Sequence, residues 1–519
     1  MALRRAAHSM SNEGMLFMRV LFIRPTAGFL FPHTPMPPLG PLALASFIQS
    51  RGHTVRVFDH QVEPHLMKAA AEFKPDAVAI TLLAQSMIPD AVRISRAMKA
   101  QGVRVFWGGH MASTIPEKIA RSGFVDYVGI SEGEYTLLEL LEVAQGKRAR
   151  ETVLGISYVD ENGEYRRTPD RPFADLADFP PMNYALLPME QYFTKYMHAN
   201  RMLPMVTSRG CIFNCTFCFN NEFHRCQRRE FPREVIFQQL KTLVRDFRID
   251  GTFFFDELFG ADKQALLAFC QGMKDLDLGL IWFSTATAGV LSREDLRLMY
   301  DAGCRMLEYG LESGSPEMQK KLNKRFSLAK IDETFRNCRD AGIAVQANFI
   351  IGFPDETPEQ VRETVRLYFR TRPEKPSVNF YEPIPGTQLY RALEAAGHPL
   401  PKITVDGTKS KIMPRYVLDQ NYSRVPNRDL KVIMNFICWE MVFGKKHEAP
   451  DARRKPLAKM AISHLRDNLR AMGPGGLTRG LWESAKYICT VAWYAHAYPS
   501  IRKKYDLYAK NFGRTDWDN

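Results

Sequence analysis

Two runs of alternating strand-like and helix-like segments, split by a Pro-rich stretch, predict an α/β protein. The expected architecture is an N-terminal doubly wound Rossmann-like domain, a partial (β/α)6 TIM-like barrel and a helical C-terminal region. Three observations carry this: alternation over 19–145, its return over 203–382, and the loss of strand rhythm from Ala392 onward. The expected boundaries are 1–18 for an N-terminal extension, 19–150 for the first domain and 151–195 for a hairpin and linker. The barrel takes 196–395 and the basic helical region 396–519.

Short runs rich in β-branched residues mark the first domain's strands at Arg19–Ile23, Thr54–Phe58, Asp76–Thr81, Val103–Trp107 and Val125–Gly129. Helix-length segments Pro41–Arg51, Ile88–Gln101 and Glu134–Gln145 lie between or after them. Ligands on such sheets bind beyond the carboxyl ends of the strands. Those ends hold Pro25–Gly40, Thr81–Ser86, Gly108-Gly109-His110 and Ser131–Glu134. Val153–Val159 and Glu164–Arg167 read as a hairpin on an Asn162-Gly163 turn, and Thr168–Pro188 as a linker. Alternation then resumes at Leu203–Ser208, Gly251–Phe255, Leu280–Ser284, Cys304–Tyr309, Ala344–Ile351 and Ser377–Glu382. A helix-length segment follows each of the first five, which suits most of a barrel with its site at the strand carboxyl ends. Asp429–Val442, Pro456–Ala471 and Leu481–Trp493 mix apolar and basic residues at helical spacing.

Composition narrows the class. The 519 residues are 45% hydrophobic and 24% charged, an ordinary globular balance that excludes a wholly disordered chain. No stretch of 18 uninterrupted apolar residues occurs, and Arg4 and Arg5 are not followed by the apolar core of a secretory signal. Met15 or Met18 is an alternative start. Nine cysteines, an odd number, do not form a disulfide framework, so a cytoplasmic protein is expected. Net charge is +13, but residues 401–519 alone carry 22 Lys and Arg against 11 Asp and Glu. That basic region suits an anionic substrate, a membrane surface or nucleic acid, or is a solvated helical face.

Cys211, Cys215 and Cys218 follow directly on the first barrel strand. Thiolates at this spacing, on a loop that folds back, can hold three irons of a cubane cluster and leave a fourth open. The alternatives are a zinc knuckle completed by His224 or Cys226, or three buried thiols.

The C-x3-C-x2-C pattern with Phe217 before its last cysteine resembles the signature of radical S-adenosylmethionine enzymes. Further resemblance comes from the segments Arg228–Glu234, Phe255-Asp256-Glu257-Leu258-Phe259, Gly310–Ser315, Ile351–Thr357 and Pro385-Gly386-Thr387. By that resemblance Cys211, Cys215 and Cys218 ligate a [4Fe-4S] cluster whose open iron chelates S-adenosylmethionine. Asp256 or Glu257 would accept from its ammonium, and Glu312 from its ribose or ammonium. Relatives often carry an Arg after the third strand, near the carboxylate of S-adenosylmethionine; this chain has Thr285-Ala286-Thr287-Ala288. No carboxylate contact and no catalytic side chain is assigned from sequence.

Pro37–Gly40, Arg51–Val55, Trp107-Gly108-Gly109-His110 and Ser131–Leu137 resemble the cobalamin-binding domain that precedes many such barrels. Thr81, Leu83, Gly108, Gly109 and His110 are the cobalamin-contacting residues this implies, with glycines that let the backbone approach the nucleotide tail closely. The D-x-H-x-x-G motif that would ligate cobalt is absent: the first strand is followed by Arg24-Pro25-Thr26-Ala27-Gly28, and Asp59-His60 follows the wrong strand. His33 or Gln85 is the candidate to approach that face, the alternative for either being a solvated loop residue. No G-x-G-x-x-G follows the first strand either, as a dinucleotide fold would require.

The resemblance implies methylation of an unactivated carbon through a 5′-deoxyadenosyl radical and methylcobalamin. An external electron donor such as flavodoxin or ferredoxin would be needed. Cyclisation or rearrangement with the same cofactors is the alternative, and a non-catalytic metal-binding nucleic-acid protein ranks third because no nucleic-acid motif is present. The substrate class stays open among small molecules, lipids and peptides. Trp482, Trp493, Tyr494 and Tyr498 beside Arg502-Lys503-Lys504 suit peripheral membrane contact or helix packing.

Overall fold

The computed structural model describes residues 17–26, 36–406, 418, 420–431 and 433–434. The candidate His33, the helical segments from 435 onward and the aromatic residues from Trp482 to Tyr498 lie outside the described residues, as does most of the N-terminal extension. The chain divides into two compact units, one built mainly on Pro38–Leu187 and the other on Pro188–Lys402.

The first unit holds strands β1 (Arg19–Arg24), β2 (Thr54–Asp59), β3 (Ala77–Thr81), β4 (Arg104–Gly108) and β5 (Tyr127–Gly129), all parallel. The antiparallel hairpin β6 (Ile156–Val159) and β7 (Tyr165–Arg167) extends the edge, giving the order β2-β1-β3-β4-β5-β6-β7. Helices α1 (Leu39–Ser50), α2 (Leu66–Phe73), α3 (Ile88–Lys99), α4 (His110–Thr114), α5 (Pro116–Ala120) and α6 (Glu134–Ala144) make the crossovers or follow the strands. This is the doubly wound fold expected, and its strand order reverses between β1 and β3, where such sheets bind ligands. The central strands are buried on both faces, which explains their unbroken apolar runs.

The hairpin turns at the expected Asn162-Gly163 pair, with Glu161 included in the loop. Asp160 N donates to Glu164 O at 2.9 Å, so three residues form the loop, and of these only Gly163 (φ +81°) is left-handed. Asp160 Oδ1 accepts from Asn162 N and Glu164 N and stabilises this longer turn.

The second unit is one sheet in the order β16-β15-β14-β13-β12-β9-β8. Its strands are β8 (Thr194–Tyr196), β9 (Ala199–Met205), β12 (Gly251–Phe254), β13 (Ile281–Thr285), β14 (Cys304–Glu312), β15 (Ala344–Ile351) and β16 (Lys375–Phe380). The last six are parallel, and β8 pairs antiparallel with β9. A short ribbon, β10 (Ser208–Arg209) with β11 (Arg229–Glu230), stands apart from that sheet. The helices are α7 (Asn220–His224), α8 (Arg233–Phe247), α9 (Lys263–Leu276), α10 (Arg293–Asp301), α11 (Pro316–Lys321), α12 (Ile331–Ala341), α13 (Pro358–Thr371) and α14 (Gln388–Ala395). Capping boxes open α10 (Ser292 with Asp295) and α13 (Thr357 with Gln360), fixing where these crossovers start. Tyr196 from β8 packs edge-on against Phe283 and accepts from Lys375 Nζ at 2.8 Å, so it reaches the start of β16. No helix among the described residues is long and apolar enough to cross a membrane.

Alternation along β15 buries Val345, Ala347, Phe349 and Ile351 and leaves Gln346, Asn348 and Ile350 half-buried on the other face. Asn348 Nδ2 donates to Glu308 on β14, and Gln346 Nε2 donates to Asn348 Oδ1 at 3.3 Å. Ser377 and Asn379 continue this polar face on β16. A barrel filled only for stability would carry branched apolar side chains there.

Candidate active site

The three cysteines lie on a loop closed at its base by the β10–β11 ribbon, where Ser208 pairs with Glu230 and Arg209 with Arg229. Gly210, which leads into Cys211, has φ +87°, and a Cβ there would meet Gln227 O at 2.0 Å. The chain can double back at this point only through glycine.

The acidic pair after β12 holds both sides of the loop. Asp256 is buried and accepts from Thr207 N at 2.7 Å, Thr207 Oγ1 at 2.5 Å and Ser208 Oγ at 2.6 Å. Burial pushes its carboxyl up to about 6 against those hydrogen bonds. Glu257 accepts from Gly210 N at 3.1 Å and faces His224 Nε2 at 3.5 Å. Burial raises the Glu257 carboxyl, but His224 and the backbone donors outweigh it, and it sits below its ordinary value. His224, a zinc-ligand candidate, is thus engaged with Glu257. Cys226 Sγ lies 3.6 Å from Asn221 Oδ1, whose amide donates to Cys215 O at 2.8 Å.

Burial pushes the Cys211, Cys215 and Cys218 thiols up, Cys218 to about 12, and the Lys324 charge opposes it at all three. The Cys215 charge acts on Cys211, and both act on Cys218, as neighbours on one loop do. Phe217 packs edge-on against Phe353, just after β15, at 5.7 Å. Three hydrogen bonds clamp the loop to the end of α11 and the residues that follow: Thr216 N to Leu322 O (3.1 Å), Thr216 Oγ1 to Lys321 O (3.2 Å) and Asn323 Nδ2 to Asn214 O (2.7 Å).

That clamp brings in a residue the sequence did not single out. Lys324 is mostly buried, and its Nζ lies 3.3 Å from Glu312 Oε1. Burial pulls its ammonium down, but Glu312 and the nearby thiols outweigh that and hold it above its ordinary value. Glu312 sits at a register shift of β14 with φ +60°, an uncommon conformation for a side-chain-bearing residue. Gly310 makes room for the pair, since a Cβ there would meet Glu312 Oε1 at 2.5 Å and Lys324 Nζ at 3.4 Å. The sequence signal was thin: one lysine within Lys320-Lys321-Leu322-Asn323-Lys324-Arg325.

A small apolar cleft of about 70 Å³, open to solvent, adjoins the loop and is lined by Ile212, Phe213, Phe259, Leu266, Val290 and Met299 among others. Thr285 lies at its rim, but its hydroxyl accepts from Phe259 N and donates to Asp256 O.

In the first unit, the carboxyl ends of β3, β4 and β5 are stitched together. Leu82 N donates to Gly108 O at 2.9 Å, and Met111 N donates to Leu82 O at 3.0 Å. Gly109 has φ +89°, and a Cβ there would meet Leu82 O at 2.8 Å and Thr81 Cγ2 at 3.0 Å. Ser113 Oγ donates to Gly109 O and accepts from Ser131 N. Thr81, Gly108, Gly109 and His110 therefore adjoin one another, with the Leu83 side chain 48% exposed beside them. Gln85 opens a short 3-10 turn on the same loop. At the end of β1, Arg24 is buried against Asp59, its Nε donating to Oδ1 at 2.8 Å. His60 Nδ1 lies 2.6 Å from Asp90 Oδ2, which also accepts from Thr26 N.

Both sites fit the groups they would hold. A glycine-turned loop with three gathered thiols beside a buried cation has the donor set of a cluster with one open iron. Gly108 and Gly109, half-buried, and exposed Leu83 lie together at the strand carboxyl ends, where such a sheet takes its ligand.

Comparison with known proteins agrees. Residues 205–368 match the Radical SAM superfamily, and residues 32–141 match the B12 binding domain. The chain is 29% identical over 387 residues to an uncharacterized methyltransferase of Pyrococcus horikoshii, covering 72% of this chain and 83% of that one. It is 26% identical over 391 residues to the anaerobic magnesium-protoporphyrin IX monomethyl ester cyclase of Rubrivivax gelatinosus, covering 72% and 70%. The cobalamin-dependent S-adenosylmethionine radical enzyme OxsB, solved with aqua-cobalamin and S-adenosylmethionine bound, shares the fold with a TM-score of 0.68 at 17% identity, over 92% of this chain and 72% of that one. The chain therefore carries a Radical SAM superfamily domain preceded by a B12 binding domain, and the cofactors that go with these domains are a [4Fe-4S] cluster, S-adenosylmethionine and cobalamin.

Proposed function

We propose that this enzyme methylates an unactivated carbon of its substrate. The observation that carries the reading is the union of a B12 binding domain and a radical S-adenosylmethionine barrel in a chain whose similarity extends over most of a methyltransferase. When bound, the cofactors supply a 5′-deoxyadenosyl radical for hydrogen abstraction and a methyl group for transfer to carbon. The chain's residues bind and orient. Cys211, Cys215 and Cys218 hold the cluster, and Asp256 and Glu257 fix the shape of their loop rather than meeting the ammonium of S-adenosylmethionine directly. Glu312 takes up the ammonium or ribose hydroxyls, and Lys324 meets the carboxylate, the role left open by Thr285–Ala288. Thr81, Leu83, Gly108, Gly109 and His110 line the cobalamin site. The polar face of Glu308, Gln346, Asn348, Ser377 and Asn379 offers hydrogen bonds to the substrate, which is a small molecule, lipid or peptide. The reaction runs in the cytoplasm, where thiols stay reduced, and draws on an external one-electron donor such as flavodoxin or ferredoxin.

Anaerobic reconstitution with iron, sulfide and hydroxocobalamin tests this. The expected protein holds about four irons and one cobalt and loses its iron when the three cysteines become alanine. It forms S-adenosylhomocysteine together with 5′-deoxyadenosine and adds one methyl mass to product. Cobalt without S-adenosylhomocysteine would refute methylation. Cyclisation is the second reading, favoured by the cyclase similarity, and it predicts product with no added carbon.

A further inference from the structure

The segment clamped against the cysteine loop is strongly basic. Pro316–Lys330 carries Lys320, Lys321, Lys324, Arg325 and Lys330 against the single acid Glu317, whose carboxylate accepts from Gln360 Nε2. This is not general basicity, since residues 1–400 together are nearly neutral. Lys320, Lys321 and Arg325 are exposed. Arg424, 69% exposed, extends the patch, because Asp355 lies 3.9 Å from its guanidinium and 3.4 Å from Lys321 Nζ. The hydrogen bonds from Thr216 and Asn323 join this surface directly to the backbone between Cys211 and Cys218.

The geometry points to this basic surface as the docking face for an acidic, low-potential electron-carrier protein of the flavodoxin or ferredoxin kind. The inference rests on the radical reading above, which needs a one-electron donor. One electron passes from the reduced carrier, which is thereby oxidised, to the cluster, which is reduced by that electron; no bond is made or broken. Charge complementarity argues for such a partner. A cluster of exposed cations beside the redox loop raises the encounter rate of a carboxylate-rich partner and orients it, an effect that salt screens.

The test uses the reconstituted holoenzyme and its K320E/R325E/R424E variant, with K320A/R325A as a milder second variant. Titration of an oxidised acidic flavodoxin, and in a parallel arm an oxidised acidic ferredoxin, is followed by calorimetry at low and high salt. Rapid mixing then follows reduction of the cluster by each reduced carrier and by dithionite. The expected result is about tenfold or greater weakening of carrier affinity and slowing of carrier-driven reduction. Dithionite-driven reduction, iron content and melting temperature should stay unchanged. Equal carrier affinity and reduction rate in wild type and both variants would overturn the inference. So would wild-type binding to anionic vesicles or single-stranded RNA but to neither carrier. If dithionite fails to support S-adenosylmethionine cleavage by wild type, the radical reading itself falls and takes this inference with it. Retained dithionite-driven cleavage with undiminished carrier binding removes the docking face alone.

Discussion

Lys324→Met removes the cation beside the cysteine loop while keeping a flexible side chain of similar length. The Nζ–Oε1 separation is 3.3 Å, and the two side chains are 16% and 11% exposed. At that distance and an effective dielectric of about 20, Coulomb attraction is roughly 5 kcal/mol. Stranding the remaining charge of a buried pair costs about 3–5 kcal/mol. The barrel's melting temperature should therefore fall by about 6–20 °C, and Glu312→Gln added to the variant should restore most of it. Stability alone does not test the assignment to S-adenosylmethionine, so binding is measured on reconstituted protein by calorimetry and by the change in the cluster's electron paramagnetic resonance signal when S-adenosylmethionine is added. A lost charge-assisted hydrogen bond of about 1.5–3 kcal/mol predicts affinity weaker by about 10–100-fold. Lys324→Arg keeps the charge and should retain most of that affinity. If Lys324→Met binds S-adenosylmethionine like wild type, with an unchanged spectral response and normal iron content, the carboxylate assignment is refuted.

Three further predictions follow from the local geometry. Gly210→Ala must displace Gln227 O from a 2.0 Å overlap; iron content after reconstitution should drop by more than half, with the melting temperature lowered by only a few degrees. Gly109→Val meets Leu82 O and a left-handed φ; cobalt retention should fall while iron content stays at the wild-type level. Asp256 titrates near 6 when folded and near 3.9 when unfolded, so its folded value is raised. Its contribution is fully present below about pH 4 and is lost as pH rises through about 6, roughly 3 kcal/mol in all. Asp256→Asn should flatten that part of the difference between denaturation midpoints at pH 4 and pH 7.5, and a pH profile parallel to wild type would contradict the raised value.

The sequence was most legible where a physical rule leaves little choice. Strands buried on both faces must be apolar and β-branched, so Val78–Thr81 stood out, and a strand with one buried face alternates, so Ala344–Ile351 did too; all six parallel barrel strands were found. The β10–β11 ribbon and the edge strand Thr194–Tyr196 were not, because two- and three-residue strands show no periodicity. Asp256-Glu257 was visible as an acidic pair at a strand end. Its direction was not, because the donors it meets, Thr207, Ser208 and Gly210, lie nearly fifty residues earlier and join it only through strand pairing. Lys324 was hidden for the opposite reason: a lysine in a basic run normally faces water, and only the Thr216 and Asn323 hydrogen bonds turn this one inward.

The clamp between Thr216 and Leu322 also bears on how the protein is made. About 100 residues separate Cys218 from the carbonyl that fixes its loop, and synthesis at about 5–20 residues per second takes roughly 5–20 s to cover them. Asp256 and Glu257, which set the loop's base, are also translated after the cysteines. The thiols thus leave the ribosome well before the fold that gathers them exists. Cluster insertion is therefore a late step in biogenesis, and chains truncated before Leu322 should emerge without iron even where β9 to β13 have formed.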